Sequence, residues 1–107
     1  MFKEELLKDQ TIVITGGGTG LGKSMSRRFG ELGANIVISG RRAEVLDETA
    51  HEFSQQGINV LTCPGDVRKL EDVEKMSKQA INKFGKIDNL LNNAAGNFIS
   101  PSEMLSP

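Results

Sequence analysis

Between Thr15 and Ser24 the chain reads T-G-G-G-T-G-L-G-K-S, with glycine at 16, 17, 18, 20 and 22. Glycines at this density let a backbone turn tightly and approach a phosphate. A helix starting there adds free N–H groups and a partial positive charge. Two templates fit the stretch, and they imply different chemistry. Gly17, Gly22, Lys23 and Ser24 satisfy G-x-x-x-x-G-K-[ST], in which lysine reaches terminal phosphates and serine holds magnesium. Gly16, Gly20 and Gly22 satisfy G-x-x-x-G-x-G, a dinucleotide-binding spacing, whereas the strict G-x-G-x-x-G does not occur.

Other positions arbitrate. A triphosphatase needs an acidic, magnesium-holding residue at the end of a second hydrophobic strand. Asp66 lies beyond a Cys-Pro-Gly turn and Asp88 starts a strand, so neither qualifies. A dinucleotide site needs a reader of the adenosine ribose about 20 residues on, at the end of the second strand. The sequence there is Ser39-Gly40-Arg41-Arg42. No carboxylate stands ready for a free 2′-hydroxyl, but a guanidinium suits a 2′-phosphate, with a charge-assisted bond worth roughly 1.5–3 kcal/mol. Arg41, nearer the strand end, is the expected phosphate reader, and Arg42 reads as a solvated helix start. The dinucleotide template is favoured.

These residues must be held by alternating strands and helices. Thr11 to Thr15 is a β-branched run entering the glycine turn. Leu21, Met25, Phe29 and Leu32 form a helical stripe stopped by Gly33. Asn35 to Ser39 is a second strand ending at Gly40. Arg42 to Gln56 carries Val45, Leu46, Ala50 and Phe53 at helical spacing, stopped by Gly57. Ile58 to Thr62 is a third strand, followed by Cys63-Pro64-Gly65-Asp66. Leu70, Val73, Met76, Ala80, Ile81 and Phe84 mark a third helix closed by Gly85, and Ile87 to Asn92 gives a fourth strand. Residues 93–107 read as polar loop. The expectation is an α/β fold, a Rossmann-like doubly wound parallel sheet in strand order 3-2-1-4. That order makes the fourth strand an edge beside Leu90 and Leu91, where a complete domain is poorly served by stopping. Residues 1–107 are therefore read as the N-terminal, dinucleotide-binding part of one larger domain, without its catalytic half.

Composition narrows the classes. The 107 residues carry 13 basic and 14 acidic side chains, so a surface built to coat nucleic acid or an anionic membrane is not expected. One cysteine, Cys63, excludes an intramolecular disulfide and suits a reducing compartment. It reads as a packed small residue with nothing nearby to activate it, and His51 reads as surface. No apolar run approaches the roughly 18–20 residues of a membrane span, and Met1 to Gln10 resembles no signal or transit peptide. Cytoplasmic residence is expected, although a C-terminal peroxisomal tripeptide would lie beyond the sequence. No metal site is expected.

Thr15-Gly16-Gly17-Gly18-Thr19-Gly20-Leu21-Gly22, Asp66-Val67 and Asn92-Asn93-Ala94-Ala95-Gly96, in this order, resemble the short-chain dehydrogenase/reductase family over essentially the whole chain. Most members have glycine where Ala95 stands. The Ala94-Ala95-Gly96-Asn97-Phe98 version, with Gly17 to Gly22 and Arg41, is similar to the 2,4-dienoyl-CoA reductases, which reduce fatty dienoyl-CoA with NADPH. The resemblance implies that Gly17, Gly18, Thr19, Gly20, Leu21 and Gly22, with Gly16, cradle the pyrophosphate of NADP(H), and that Arg41 holds its 2′-phosphate. It implies that Asp66 accepts a bond from the adenine amino group, with Val67 against the ring. Asn93 and Ala94 would lie along the cofactor. Arg68, Phe98 and Ser106 would lie on the acyl-CoA side.

The family's catalytic tyrosine and lysine belong to a later segment, and this chain has no Tyr. No catalytic residue is assigned here. The parent enzyme is expected to be a homo-oligomeric, NADPH-dependent reductase, and the 107 residues alone are expected to reduce nothing. Alternatives left open are a short-chain reductase of another carbonyl (a 3-oxoacyl thioester, a sugar or a steroid), a non-catalytic nucleotide-binding module, or a phosphate-loop triphosphatase. Asp66 retains a second reading as a turn residue capping the next helix.

Overall fold

The computed structural model describes residues 6–93. Thr11–Thr15 forms β1, every residue of it buried. Gly20–Glu31 forms α1, Asn35–Gly40 β2, Ala43–Gln55 α2, Val60–Pro64 β3, Leu70–Phe84 α3 and Asn89–Asn92 β4. All pairings are parallel, in the order β3-β2-β1-β4. This is the Rossmann-like sheet expected from the alternation, with β4 paired only to β1 among the described residues.

Successive residues of a strand face opposite sides of the sheet, and the two cores follow that alternation. Ile12, Ile14, Ile36 and Ile38 face one side, where Leu46 and Phe53 of α2 join them and Phe29 of α1 packs against the cluster. Val13, Val37 and Cys63 face the other, against Met76 and Ala80 of α3. Helices therefore cover both faces, as right-handed crossovers between parallel strands require. Cys63 is buried, and that burial pushes its thiol pKa up, so it is packed and inert as expected. His51 is exposed on α2.

Three local expectations are corrected. Leu21 is 67% exposed and does not belong to the buried stripe of α1. The face of α1 that disappears into the protein carries Gly22 and Ser26, small residues that bring the helix close to the sheet. Leu70 and Ile81 likewise stand outside the core, which α3 reaches through Met76 and Ala80. The third strand runs over Val60–Pro64, two residues later than expected. Ile58 instead packs on α1, where a Cβ at Gly30 would lie 2.5 Å from its Cγ2. Among the described residues no helix is long and apolar enough to cross a membrane.

Candidate functional site

The register brings four chain segments to the carboxyl ends of the strands. Thr15 of β1 lies beside Ser39 of β2 and Asn92 of β4, and Gly40 lies beside Pro64 of β3. Strand order reverses between β1 and its neighbours here, the position at which open α/β sheets bind ligands. A groove of about 960 Å3 opens over this edge. Its walls include Gly16, Gly18 and Thr19 from the first turn, Arg41 and Arg42 from the second, Asp66, Val67 and Arg68 from the third, and Asn92 from the fourth.

The glycine turn is shaped mainly by contacts with the protein itself. Gly16 takes a positive φ of 70° and donates its N–H to the Ser39 carbonyl at 2.7 Å. A Cβ at Gly17 would lie 2.5 Å from Ile38 Cγ2, and one at Gly22 would lie 2.0 Å from the Gly16 carbonyl oxygen. Gly17 and Gly22 thus let loop, strand and helix close on one another, and neither lines the groove; nor do Gly20 and Leu21. Thr19 is the N-cap of α1 and makes no side-chain cap bond, and the first turn of α1 carries no acidic residue. The N–H groups at the start of α1 remain suited to an anion.

Asn93 crosses the switch point, donating from Nδ2 to the Gly16 carbonyl at 3.4 Å. The Thr15 hydroxyl donates to Asn92 Oδ1 at 3.0 Å, tying β4 to the strand before the turn. A third tie comes from α2. The buried Thr49 hydroxyl donates to the Gly18 carbonyl at 2.9 Å. Thr49→Val keeps the shape and removes the donor, leaving a buried carbonyl unpaired. The expected loss is about 1–3 kcal/mol of unfolding free energy, read by denaturant titration, with Thr49→Ser retaining most of it.

Arg41 and Arg42 are both exposed at the groove. Arg42 is the N-cap residue of α2 and pairs with Glu44 at 3.7 Å, while Arg41 has no acidic partner among the described residues. Across the groove, Asp66 Oδ1 accepts from the Arg68 backbone N–H at 2.9 Å and from its Nε at 3.1 Å, and Oδ2 accepts from Nη2 at 3.0 Å. The Arg68 side-chain bonds, then its backbone N–H, hold the Asp66 carboxyl well below the usual range, at about 2, with the charges of Arg68 and Arg41 acting the same way against partial burial. A depressed carboxylate contributes stability above its unfolded value, near 3.9, and loses it as pH falls through the folded value. A carbon-detected carboxyl titration should place the Asp66 midpoint near 2, and Arg68→Ala should return it toward ordinary aspartate. An unchanged midpoint in the variant would contradict the Arg68 bonds as the cause.

Lys23 decides between the two loop templates. Its Nζ is bound to Glu52 Oε1 of α2 at 2.7 Å, a partner that a phosphate-loop lysine would have to give up to reach a terminal phosphate. Asp88 accepts the Thr11 N–H at 2.7 Å, at the amino end of the sheet and remote from the loop. Among the described residues no cluster of three or more His, Cys, Asp or Glu could hold a metal ion. The dinucleotide template is the one that the geometry fits.

Sequence reasoning missed Thr49, Asn92, Glu52 and Asp72. Thr49 could have been found, since a polar residue between Leu46 and Phe53 on the buried face of α2 needs a partner. Ala94, Phe98 and Ser106 lie outside the described residues.

A family model described as short chain dehydrogenase matches residues 10–107. A peroxisomal 2,4-dienoyl-CoA reductase, (3E)-enoyl-CoA-producing, from Arabidopsis thaliana is 44% identical over 106 residues, covering 99% of this chain and 36% of the relative. A probable 2,4-dienoyl-CoA reductase from Bacillus subtilis is 41% identical over 101 residues, covering 94% of this chain and 40% of the relative. A crystal structure of a short chain dehydrogenase from Bacillus anthracis superposes with a TM-score of 0.79 at 49% identity, over 94% of this chain and 40% of that one. The chain thus spans well under half the length of these relatives.

Proposed function

Since this chain belongs to the short-chain dehydrogenase family, whose members are oxidoreductases using NAD(P)(H), we propose that it is the NADP(H)-binding N-terminal part of a 2,4-dienoyl-CoA reductase. The observation that carries the choice of nucleotide is Arg41. It stands at the end of β2 on the groove wall, where no carboxylate is available for a free ribose hydroxyl. Its guanidinium fits a 2′-phosphate in charge and geometry.

The remaining residues fit the same ligand. Gly16, Gly18 and Thr19 on the groove wall and the open start of α1 would take the pyrophosphate, with Gly17 and Gly22 shaping the turn from behind. Asp66 would accept from the adenine amino group, using a lone pair that its three bonds to Arg68 leave free. Val67 would lie against the ring, with Asn93 and Ala94 along the cofactor. When bound, such a cofactor would be the source of hydride for the conjugated acyl chain. This chain's own residues bind and orient: Arg68, Phe98 and Ser106 would meet the acyl-CoA. The 107 residues include no Tyr, so on this reading the family's proton donor would come from another part of the protein.

The dienoyl-CoA assignment draws on the names of the Arabidopsis and Bacillus subtilis relatives. Purified full-length protein should oxidise NADPH with a 2,4-dienoyl-CoA far faster than with a 3-oxoacyl thioester. The reverse preference would move the protein to another branch of the family. A preparation of the 107 residues alone should oxidise no NADPH with either, and turnover by it would overturn the division of labour proposed here. We place the full-length protein as a homo-oligomer in the cytoplasm. Localisation of the intact protein tests this against the peroxisomal residence named for the Arabidopsis relative.

A further inference from the structure

The turn that carries Asp66 is held in place by a carboxylate that lies outside the groove. α3 starts after Lys69, whose side chain makes no cap bond, and Asp72 occupies the third position of the helix. An acidic residue there ordinarily reaches back to the N–H of its own cap residue. Asp72 reaches three residues further, and its Oδ2 accepts the Asp66 N–H at 2.8 Å. The turn is closed from the other side by Lys69, which donates its N–H to the Asp66 carbonyl at 2.9 Å. Just upstream, Gly65 donates its N–H to the Gly40 carbonyl at 2.7 Å, and a Cβ at Gly65 would come within 3.2 Å of Asp72. Asp72 therefore packs beneath Gly65 and anchors Asp66 at once, and Gly40 joins the same turn to the segment that bears Arg41.

From this geometry we infer that Asp72 is a positioning residue for recognition of the base. It fixes the backbone from which Asp66 projects, while Arg68 orients the Asp66 carboxylate. The inference rests on the reading of Asp66 as acceptor of the adenine amino group. Asp72 does not itself line the groove, so it acts only through Asp66. Without it the Asp66 N–H loses its acceptor, the turn relaxes, and the carboxylate no longer stands where an amino group can be told from a carbonyl. The chemistry at the far end of the cofactor is untouched.

The test compares NADPH with nicotinamide hypoxanthine dinucleotide phosphate in its reduced form, which carries a carbonyl in place of the amino group. Dissociation constants are measured on the full-length protein by cofactor fluorescence. The wild type is expected to prefer NADPH by about tenfold or more, the scale of a hydrogen bond to a charged acceptor. Asp72→Ala should bring the two ligands within about twofold, with kcat at saturating NADPH unchanged. Asp72→Asn, whose amide oxygen can accept the same N–H, should keep the preference. Asp72→Ser, too short to reach, should lose it and serves if the alanine variant does not fold.

A preference preserved in the alanine or serine variant would overturn the inference. So would a fall in kcat that Asp72→Asn fails to restore, because that marks a general structural role. Equal binding of the two ligands by the wild type would overturn the Asp66 reading, and the positioning role with it.

Discussion

Arg41→Ala in the full-length protein is expected to weaken NADPH binding by about tenfold to a hundredfold while moving NADH by less than about twofold. The range follows from a hydrogen bond to a charged group, worth roughly 1.5–3 kcal/mol, at about 1.4 kcal/mol per factor of ten. The lower half is favoured because Arg41 is exposed, and solvent screens an exposed charge more than a buried one. Arg41 makes no ion pair among the described residues, so its loss removes there only the weaker attraction that helps hold the Asp66 carboxyl low. Arg42→Ala is the control. Arg42 starts α2 and pairs with Glu44, and its removal should cost NADPH less than Arg41→Ala does. Equal losses of NADPH and NADH on Arg41→Ala would refute its assigned role. A larger effect from Arg42 would move that role by one residue.

The selectivity in that prediction depends on a placement that was legible in the sequence. β-branched runs ending in glycine or proline turns, alternating with helical stripes, are local signals, and strand order follows from crossover handedness. These local signals alone place the two basic residues at the carboxyl end of β2. Arg41 and Asp66 face one groove because every strand points the same way. What stayed hidden depends on partners far apart in the chain. Lys23 fits a phosphate-loop lysine in sequence, and only Glu52 on the neighbouring helix shows where it points. Leu21 belongs to an apolar stripe that resembles a buried face, whereas α1 packs through Gly22 and Ser26 and leaves Leu21 in solvent. β3 runs on into Pro64 although Cys-Pro-Gly looks like a turn, because an edge strand tolerates proline.

The second large effect is expected at one of those packed glycines. In an exposed helix interior Gly→Ala stabilises by roughly 1 kcal/mol, since alanine has less backbone freedom to lose. At Gly22 the sign reverses. The added Cβ would lie 2.0 Å from the Gly16 carbonyl oxygen and 2.7 Å from Asn93 Nδ2. The Asn93 side chain can swing away. The Gly16 carbonyl has little room to move, because the peptide it belongs to continues into Gly17, which is packed so closely on β2 that a Cβ there would lie 2.5 Å from Ile38 Cγ2. Overpacking against fixed backbone costs about 1–3 kcal/mol, which offsets the propensity gain and more. Gly22→Ala should therefore lower the Tm by several degrees and displace the glycine turn, reducing NADPH affinity at least tenfold in whatever protein still folds. The double variant Gly22→Ala with Asn93→Ala separates the two contacts. It removes the side-chain clash and leaves the backbone one, so, measured against Asn93→Ala alone, it should still show the full loss of Tm. Recovery would mean that Asn93, rather than the carbonyl of the turn, is what excludes a side chain at position 22. Unchanged stability in the single variant would mean that α1 can pull back from the turn, and unchanged affinity beside it would mean that the close approach of helix to loop is not required for binding.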